Sequence, residues 1–397
     1  MKILHTADWH LGVSLGAEKR FKEFDLLLDH ICSIIKTEQI DAVIIAGDVF
    51  DSHMPPNHAA EQYYNFLVKA NQAGAQKIIV VGGNHDSAAY LEAPKLVLKH
   101  LSIHVFANAS KDCKDMIIPL TDQNGKTVAL IGAVPYLHER DLVIVEGGQT
   151  VLERENALRN AMLDYYKKMA DALNETNPDV PHIVTGHLFA TDCNLKNDSW
   201  TGTLMSVSAD DFPASFDYLA LGHLHDSQTL KTANSTCIRY AGAPVNVSFR
   251  ELEVAKSVTV IDTDDVKNFR EITLPSFQDM RILRGNRTEL EAELEALKKL
   301  DRSVWCSIEN TGSYEPGLAE ILNSTIKDSN IRIITCRNAQ TNPAVLERLP
   351  SEQHLSELKP LEVFKMMLKK RPIADELSDR LLAAFNEIET AAREDEF

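Results

Sequence analysis

The sequence predicts a large α/β domain built on parallel strands, followed by a small α/β module and a helical tail. Three observations predict it. Short β-branched apolar runs alternate with stretches of helical periodicity from Lys2 to Val81, the pattern of β-α-β-α-β units. The run Ala42–Ala46 is apolar at every position, as befits a strand buried on both faces. Beyond Pro275 the alternation restarts without polar residues at its strand ends.

In chain order, Lys2–Ala7 is a first strand leading into Asp8-Trp9-His10-Leu11-Gly12. Phe21, Phe24, Leu28, Ile31 and Ile35 repeat at helical spacing, so an amphipathic helix runs to about Glu38. Ala42–Ala46 ends in Gly47-Asp48, and Asp51 to Asn57, with Pro55-Pro56, is a loop. His58–Ala73 is a second helix closed by Gly74, and Lys77–Val81 runs into Gly82-Gly83-Asn84-His85-Asp86. Val128–Val134 is a further strand. Asn124-Gly125-Lys126-Thr127 before it resembles the end of a phosphate-binding loop, but Leu120 stands where that motif needs glycine, so a hairpin turn is the better reading. Leu152–Asn174 is helical, Ile183–Thr185 is a strand ending in Gly186-His187, and Ala190 to Pro213 is long enough to be a functional lid. Tyr218–Leu221 ends in Gly222-His223-Leu224-His225, and Cys237–Tyr240 and Val258–Ile261 are expected as antiparallel strands completing the domain.

Arg281–Thr335 reads strand, helix, strand, helix, strand, with no acid or histidine at its strand ends. The expected domains are therefore 1–275, 276–342 and 343–397. In the last, Leu361, Phe364 and Leu368 form one apolar stripe and Leu377, Leu381, Phe385 and Ile388 another, with Arg371-Pro372 between. Such helices either pack on their own domain or dock on a partner.

A chain of 397 residues, 44% hydrophobic and 25% charged, is ample for a large core. No apolar run approaches the roughly 20 residues of a membrane helix, and the start reads as a strand rather than a signal peptide, so no membrane association and a cytoplasmic location are expected. The scattered cysteines, without a Cys-x-x-Cys pair, favour reduced thiols. A net charge of −17 repels phosphate backbones, so nucleic acid would need a local basic patch or bound metal.

Five strand ends carry polar residues: Asp8 with His10, Asp48, Asn84 with His85, His187, and His223 with His225. Any one of them, Asp48 included, could simply cap a turn. Five converging on one sheet edge point instead to a metal site, where strand-end ligands collect. In Asp-x-His and His-x-His an extended backbone points both ligands to one side. Oxygen and imidazole without thiolate suit Mn²⁺, Fe²⁺ or Zn²⁺. The candidates exceed what one ion needs. Two ions about 3.5–4 Å apart, sharing a carboxylate, would use them all and serve an in-line displacement at phosphorus by a water of lowered pKa.

Asp8-Trp9-His10, Gly47-Asp48-Val49-Phe50-Asp51, Gly83-Asn84-His85-Asp86, Gly186-His187 and Gly222-His223-Leu224-His225 resemble the five motifs of calcineurin-like metallophosphoesterases. The opening Met1 to Gly12, Pro55-Pro56, Tyr240-Ala241-Gly242-Ala243-Pro244 and Leu355 to Phe364 narrow the likeness to the SbcD nuclease subunits of bacterial SbcCD complexes. This resemblance implies a four-layer αββα fold with a small α/β capping domain and C-terminal helices. One ion would be held by Asp8, His10, Asp48 and His225, the other by Asp48, Asn84, His187 and His223. His85 would act on the scissile phosphate or leaving oxygen without binding metal, or else be a structural neighbour of the ligands. The resemblance further implies Mn²⁺, a DNA substrate with 3′-to-5′ exonuclease and endonuclease activity, and a homodimer within a heterotetramer with an SbcC-type coiled-coil ATPase. The lack of a P-loop suits a subunit whose partner hydrolyses ATP. A small-molecule phosphodiesterase would leave the extra module and tail unexplained, and a scaffold without activity would not need a full ligand set. Lys19, Arg20, Lys22, His138, Arg140 and Arg250 are candidate DNA contacts, and His53 departs from the small residue expected in its loop.

Overall fold

Two six-stranded sheets carry the larger unit of the chain, and their topology follows from which strands lack polar faces. The computed structural model describes residues 1–142, 150–192, 206–300 and 302–338. The first sheet has the order Asp265–Thr273, Ser257–Asp262, Lys2–Thr6, Ala42–Ala46, Lys77–Val81, Ile103–Phe106. Its last four strands are parallel and its first two antiparallel. The second has the order Gln228–Leu230, Cys237–Tyr240, Tyr218–Gly222, His182–His187, Thr127–Gly132, Ile117–Thr121, parallel except at its two edges.

Side chains alternate across each strand, and the alternation sorts them into three cores. Ala42, Ile44 and Ile79 of the first sheet pack with Ile131, Ile183 and Ala220 of the second. On its other face the first sheet turns Val43, Ile45, Ile78 and Val80 to the helices Phe21–Glu38 and Asn57–Ala73, which bring Phe24, Leu27, Ile31, Phe66 and Leu67. The second sheet likewise covers Leu130, Val184 and Leu219 with Met162, Tyr166, Met169 and Leu173 of the helix Val151–Thr176. Helix, sheet, sheet and helix make the four layers expected.

One strand departs from expectation. Cys237–Tyr240 runs parallel to Tyr218–Gly222, not antiparallel. The reversal is made by Gln228–Leu230, a three-residue edge strand too short to show any period in the sequence. Ser257–Asp262 is antiparallel to Lys2–Thr6, as expected.

A separate three-stranded sheet, Asp279–Gly285, Val304–Asn310 and Ile331–Asn338, is joined by helices Arg287–Lys298 and Leu318–Thr325. Asn286 and Glu289 form a reciprocal cap on the first of these helices. Leu361, Phe364, Leu368, Leu381 and Phe385 lie outside the described residues, as does most of the expected lid.

Between the two sheets, fully buried His5 on the first meets the Tyr218 hydroxyl on the second at 3.1 Å. Burial, helped by the nearby charge of Arg239, lowers its pKa from 6.5 to about 3. The native imidazole is therefore neutral where the unfolded one takes up a proton, so stability falls as the pH drops below about 6.5. At about 1.4 kcal/mol per pH unit for one proton, His5→Gln should lose about 2 kcal/mol less between pH 6.5 and 5 than the parent. Urea unfolding of the metal-free protein at the two pH values measures this; equal losses would refute it.

Candidate metal centre

The polar strand ends do not share one sheet edge. Asp8, His10, Asp48, Asn84 and His85 follow strands of the first sheet, whereas His187, His223 and His225 end or follow strands of the second. The two edges meet because no side chain intervenes. A Cβ on Gly222 would lie 2.0 Å from the Ala46 carbonyl oxygen, and one on Gly47 would lie 2.2 Å from His187 Nδ1. His187 Nδ1 donates to that same Ala46 carbonyl at 2.9 Å.

Nor is the backbone extended at the ligands. Among the described residues seven non-glycines have positive φ, and four are Asp8 (52°), His10 (50°), Asp48 (49°) and His223 (102°). Each such residue costs of order 1–3 kcal/mol unless its surroundings enforce it. Here they do. Asp8, His10 and Leu11 donate backbone N–H groups to the carbonyls of Gly47, Asp48 and Val49. Between the two ligands Trp9 is fully buried, edge-on to Phe66, with its indole N–H on Thr6 Oγ1 at 2.9 Å. The buried Asp86 carboxylate accepts from the N–H groups of Val49, Phe50 and Gly83, tying the Asp48 loop to the Asn84 loop. Its place in the Gly-Asn-His-Asp run was the one sequence signal of that role.

Asp48 lies between two sets of ligands. Its Oδ2 is 3.3 Å from His187 Nε2 and 3.6 Å from His10 Nε2. On one side His10 Nε2 and His225 Nε2 are 3.1 Å apart, and ligand atoms of Asp8, His10 and His225 all lie within 4.8 Å. On the other, Asn84 Oδ1 is 3.1 Å from both His187 Nε2 and His223 Nδ1. Asp8 Oδ1 accepts the His223 N–H at 2.8 Å, while its buried Oδ2 has no hydrogen-bond partner. A buried carboxylate oxygen without a donor, beside imidazole nitrogens aimed at each other, fits divalent cations.

The electrostatics fit as well. Burial raises the Asp8 pKa to about 6, with the Asp48 charge adding to it against the opposing pull of His187. For Asp48 burial acts in the same direction, but the His187 charge and hydrogen bond outweigh it and hold the carboxyl below its ordinary range. His187, despite its burial, is raised to about 9 by Asp48. His223 is lowered to about 4 by burial and by His187. A proton on His187 balances Asp48, and a bound cation would take over that role.

His85 lies beside these two sets, with ligand atoms of His10, Asp51 and His85 also within 4.8 Å of one another. Its Nδ1 faces the Asp51 carbonyl at 3.0 Å, so Nδ1 carries the hydrogen and Nε2 is free to face a substrate. Its backbone N–H donates to Asp48 Oδ1 at 2.9 Å.

The candidate DNA contacts divide. Arg20 is 1% exposed; Nε and Nη2 donate to Glu23 and Nη1 to the Asn246 carbonyl, so it is a structural ion pair and not a surface base. Its neighbour Lys19 gave no hint of this, since burial comes from the distant Asn246 loop. Arg140 is exposed on the short helix Glu139–Leu142. Arg250, on the turn Phe249–Glu251, lines a cavity of about 430 Å³ together with Phe189, Leu224 and His225.

The family described as calcineurin-like phosphoesterase matches residues 1–227. The family described as type 5 capsule protein repressor C-terminal domain matches residues 276–371. The SbcD subunit of the SbcCD nuclease of Escherichia coli (strain K12) is 31% identical over 395 residues, covering 97% of each chain. The chain belongs to the SbcD family. Relatives bearing the same name include those of Bacillus subtilis (strain 168), 34% identical over 66% of each chain, and Rhodobacter capsulatus, 33% identical over 76% of this chain and 77% of that one. As an SbcD-family member it is a metal-dependent hydrolase of phosphodiester bonds, and the convergent oxygen and imidazole groups are where its divalent ions fit.

If Asp48 serves both ions, Asp48→Asn should weaken both together by tenfold or more, whereas His225→Ala and His187→Ala should each weaken mainly one. A Mn²⁺ titration followed by electron paramagnetic resonance distinguishes them, and single-ion loss in all three variants would break the assignment.

Proposed function

We propose that this chain is the manganese-dependent DNA nuclease component of an SbcCD-type complex, cutting duplex ends 3′ to 5′ and single-stranded or hairpin DNA internally. The Asp48 carboxylate, lying against ligands of both sets, is the observation that carries this reading. Asp8, His10, Asp48 and His225 hold one Mn²⁺, and Asp48, Asn84, His187 and His223 hold the other. When bound, such a pair supplies positive charge for the phosphodiester and lowers the pKa of the attacking water. The positive charge also offsets the net −17 of the chain where phosphate must sit.

The protein's own groups do the rest. Asp48 Oδ1, fixed by the His85 N–H, keeps its other oxygen turned to the imidazoles. With Nδ1–H held by the Asp51 carbonyl, His85 presents Nε2 to the departing oxygen; in its doubly protonated form it gives the Nε2 proton to that oxygen and returns to the neutral ring. Arg250 meets a neighbouring phosphate from the cavity beside His225, and Arg140 meets another from its exposed helix.

Residues 1–275 are the nuclease domain, 276–342 the capping domain over DNA, and 343–397 the partner segment. In that last segment Leu361, Phe364, Leu368, Leu381 and Phe385 dock on an SbcC-type ATPase. The names of the relatives, each one subunit of an SbcCD nuclease, support that partner. Two copies of each chain form the assembly. The complex works in the cytoplasm in DNA repair, recombination and replication.

The deciding assay is cleavage of linear duplex DNA by the complex in Mn²⁺ and in Mg²⁺; absence of cleavage with both ions bound would overturn the proposal. Within it, His85→Ala should keep its metal and lose turnover by about 10²–10⁴-fold. Loss of metal instead would make His85 a ligand.

Arg250→Ala should weaken DNA binding and reduce the slope of affinity against salt by about one ion. Unchanged binding across a salt series would remove Arg250 from the interface.

A further inference from the structure

His225 lies in a loop three residues beyond its strand, and its own strand does not hold the ring. What holds it comes from elsewhere in the sequence. Its Nδ1 donates to Glu251 Oε1 at 3.1 Å. The other oxygen of Glu251 accepts from Lys256 Nζ at 2.8 Å and from the Val247 N–H at 3.1 Å, and Ser248 Oγ donates to Oε1 at 3.3 Å. Lys256 Nζ also reaches the His225 carbonyl at 3.3 Å. Both the ring and the backbone of His225 are thus gripped by one carboxylate–ammonium pair, whose side chains are 12% and 8% exposed.

The other three imidazoles are treated differently. His187 gives Nδ1–H to a backbone carbonyl, and His223 turns its Nδ1 toward Asn84. His10 Nδ1 has no hydrogen-bond partner, its nearest acid being Asp51 at 3.5 Å. His187 meets Asp48 through Nε2, the nitrogen on the ion side. Of the four, His225 has the shortest approach, 3.1 Å, of its outward ring nitrogen to a carboxylate. Such a partner fixes the tautomer with Nε2 unprotonated, fixes the ring plane, and makes the nitrogen a stronger donor to metal.

We propose that Glu251, itself held by Lys256, is the positioning residue for His225 and makes the ion bound by Asp8, His10, Asp48 and His225 the more firmly held of the two. This rests on the two-ion reading above. The turn Phe249–Glu251 then has two duties, with Glu251 turned to the ligand and Arg250 to the adjoining cavity.

The test is a Mn²⁺ titration of the full chain, without DNA, followed by electron paramagnetic resonance. Glu251→Ala is expected to weaken one ion 10–100-fold and leave the other unchanged, with the metal-free protein less stable but still folded at the titration temperature. In a His225→Ala background the same change should have no further effect, because Glu251 acts through that ring. Wild-type affinity for both ions in Glu251→Ala, or a further loss in the His225→Ala background, would overturn the proposal. Should Glu251→Ala fail to fold, Lys256→Met is read in its place, with a smaller loss expected at the same ion and no change counting against the proposal. If the parent protein binds one ion, the two-ion reading falls. Glu251 is then judged on that ion, where weakening supports its positioning role and no change refutes it.

Discussion

The carbonyl oxygen of Ala46 is the point at which the two sheets are brought together, and everything catalytic in the molecule depends on that approach. It accepts the ring N–H of His187 and lies against Gly222, so close that any side chain there would collide with it. One sheet brings the acids and Asn84, the other brings three of the imidazoles. A wider separation would leave two half-sites, each a scatter of buried polar groups with nothing to bind.

Those groups are unfavourable company until a cation arrives. Asp8 and Asp48 sit at 0% and 2% exposure among imidazoles, and their pKa values move apart: Asp48 is held ionised by a protonated His187, while Asp8 takes up a proton below about pH 6. Backbone strain compounds this, since four ligands hold left-handed conformations. The loops are kept in place by Asp86, Trp9 and the ladder from Asp8 to Leu11. The fold therefore holds the ligands in position and leaves the ion to neutralise them.

Much of this was legible in the chain. The helix Phe21–Glu38 and the strands Ala42–Ala46 and Lys77–Val81 are found where periodicity and apolar runs put them, because burial on both faces leaves a plain signature. The residues that gather at the candidate metal centre stand out in the chain because each follows an apolar run, mostly through glycine. What could not be read was anything set by distant packing. The sorting of strand ends between two sheets, the left-handed turns at Asp8 and His10, and the strand Gln228–Leu230 leave no local pattern. Arg20 looked like an exposed base because its carbonyl partner is 226 positions away. Glu251 looked ordinary because its meaning depends on a histidine 26 residues earlier.

The pairing of the strand Lys2–Thr6 with Ser257–Asp262 bears on how the enzyme is made. The strand Lys2–Thr6 has both of its sheet neighbours only once Ser257–Asp262 has been made. His10 and His225, in contact in the folded protein, are 215 positions apart. A nascent or truncated chain that stops short of His223 lacks His223 and His225 and leaves both sets of candidate ligands incomplete. Long-range closure of this kind slows folding, yet it also means that nuclease activity begins only once the whole catalytic domain exists.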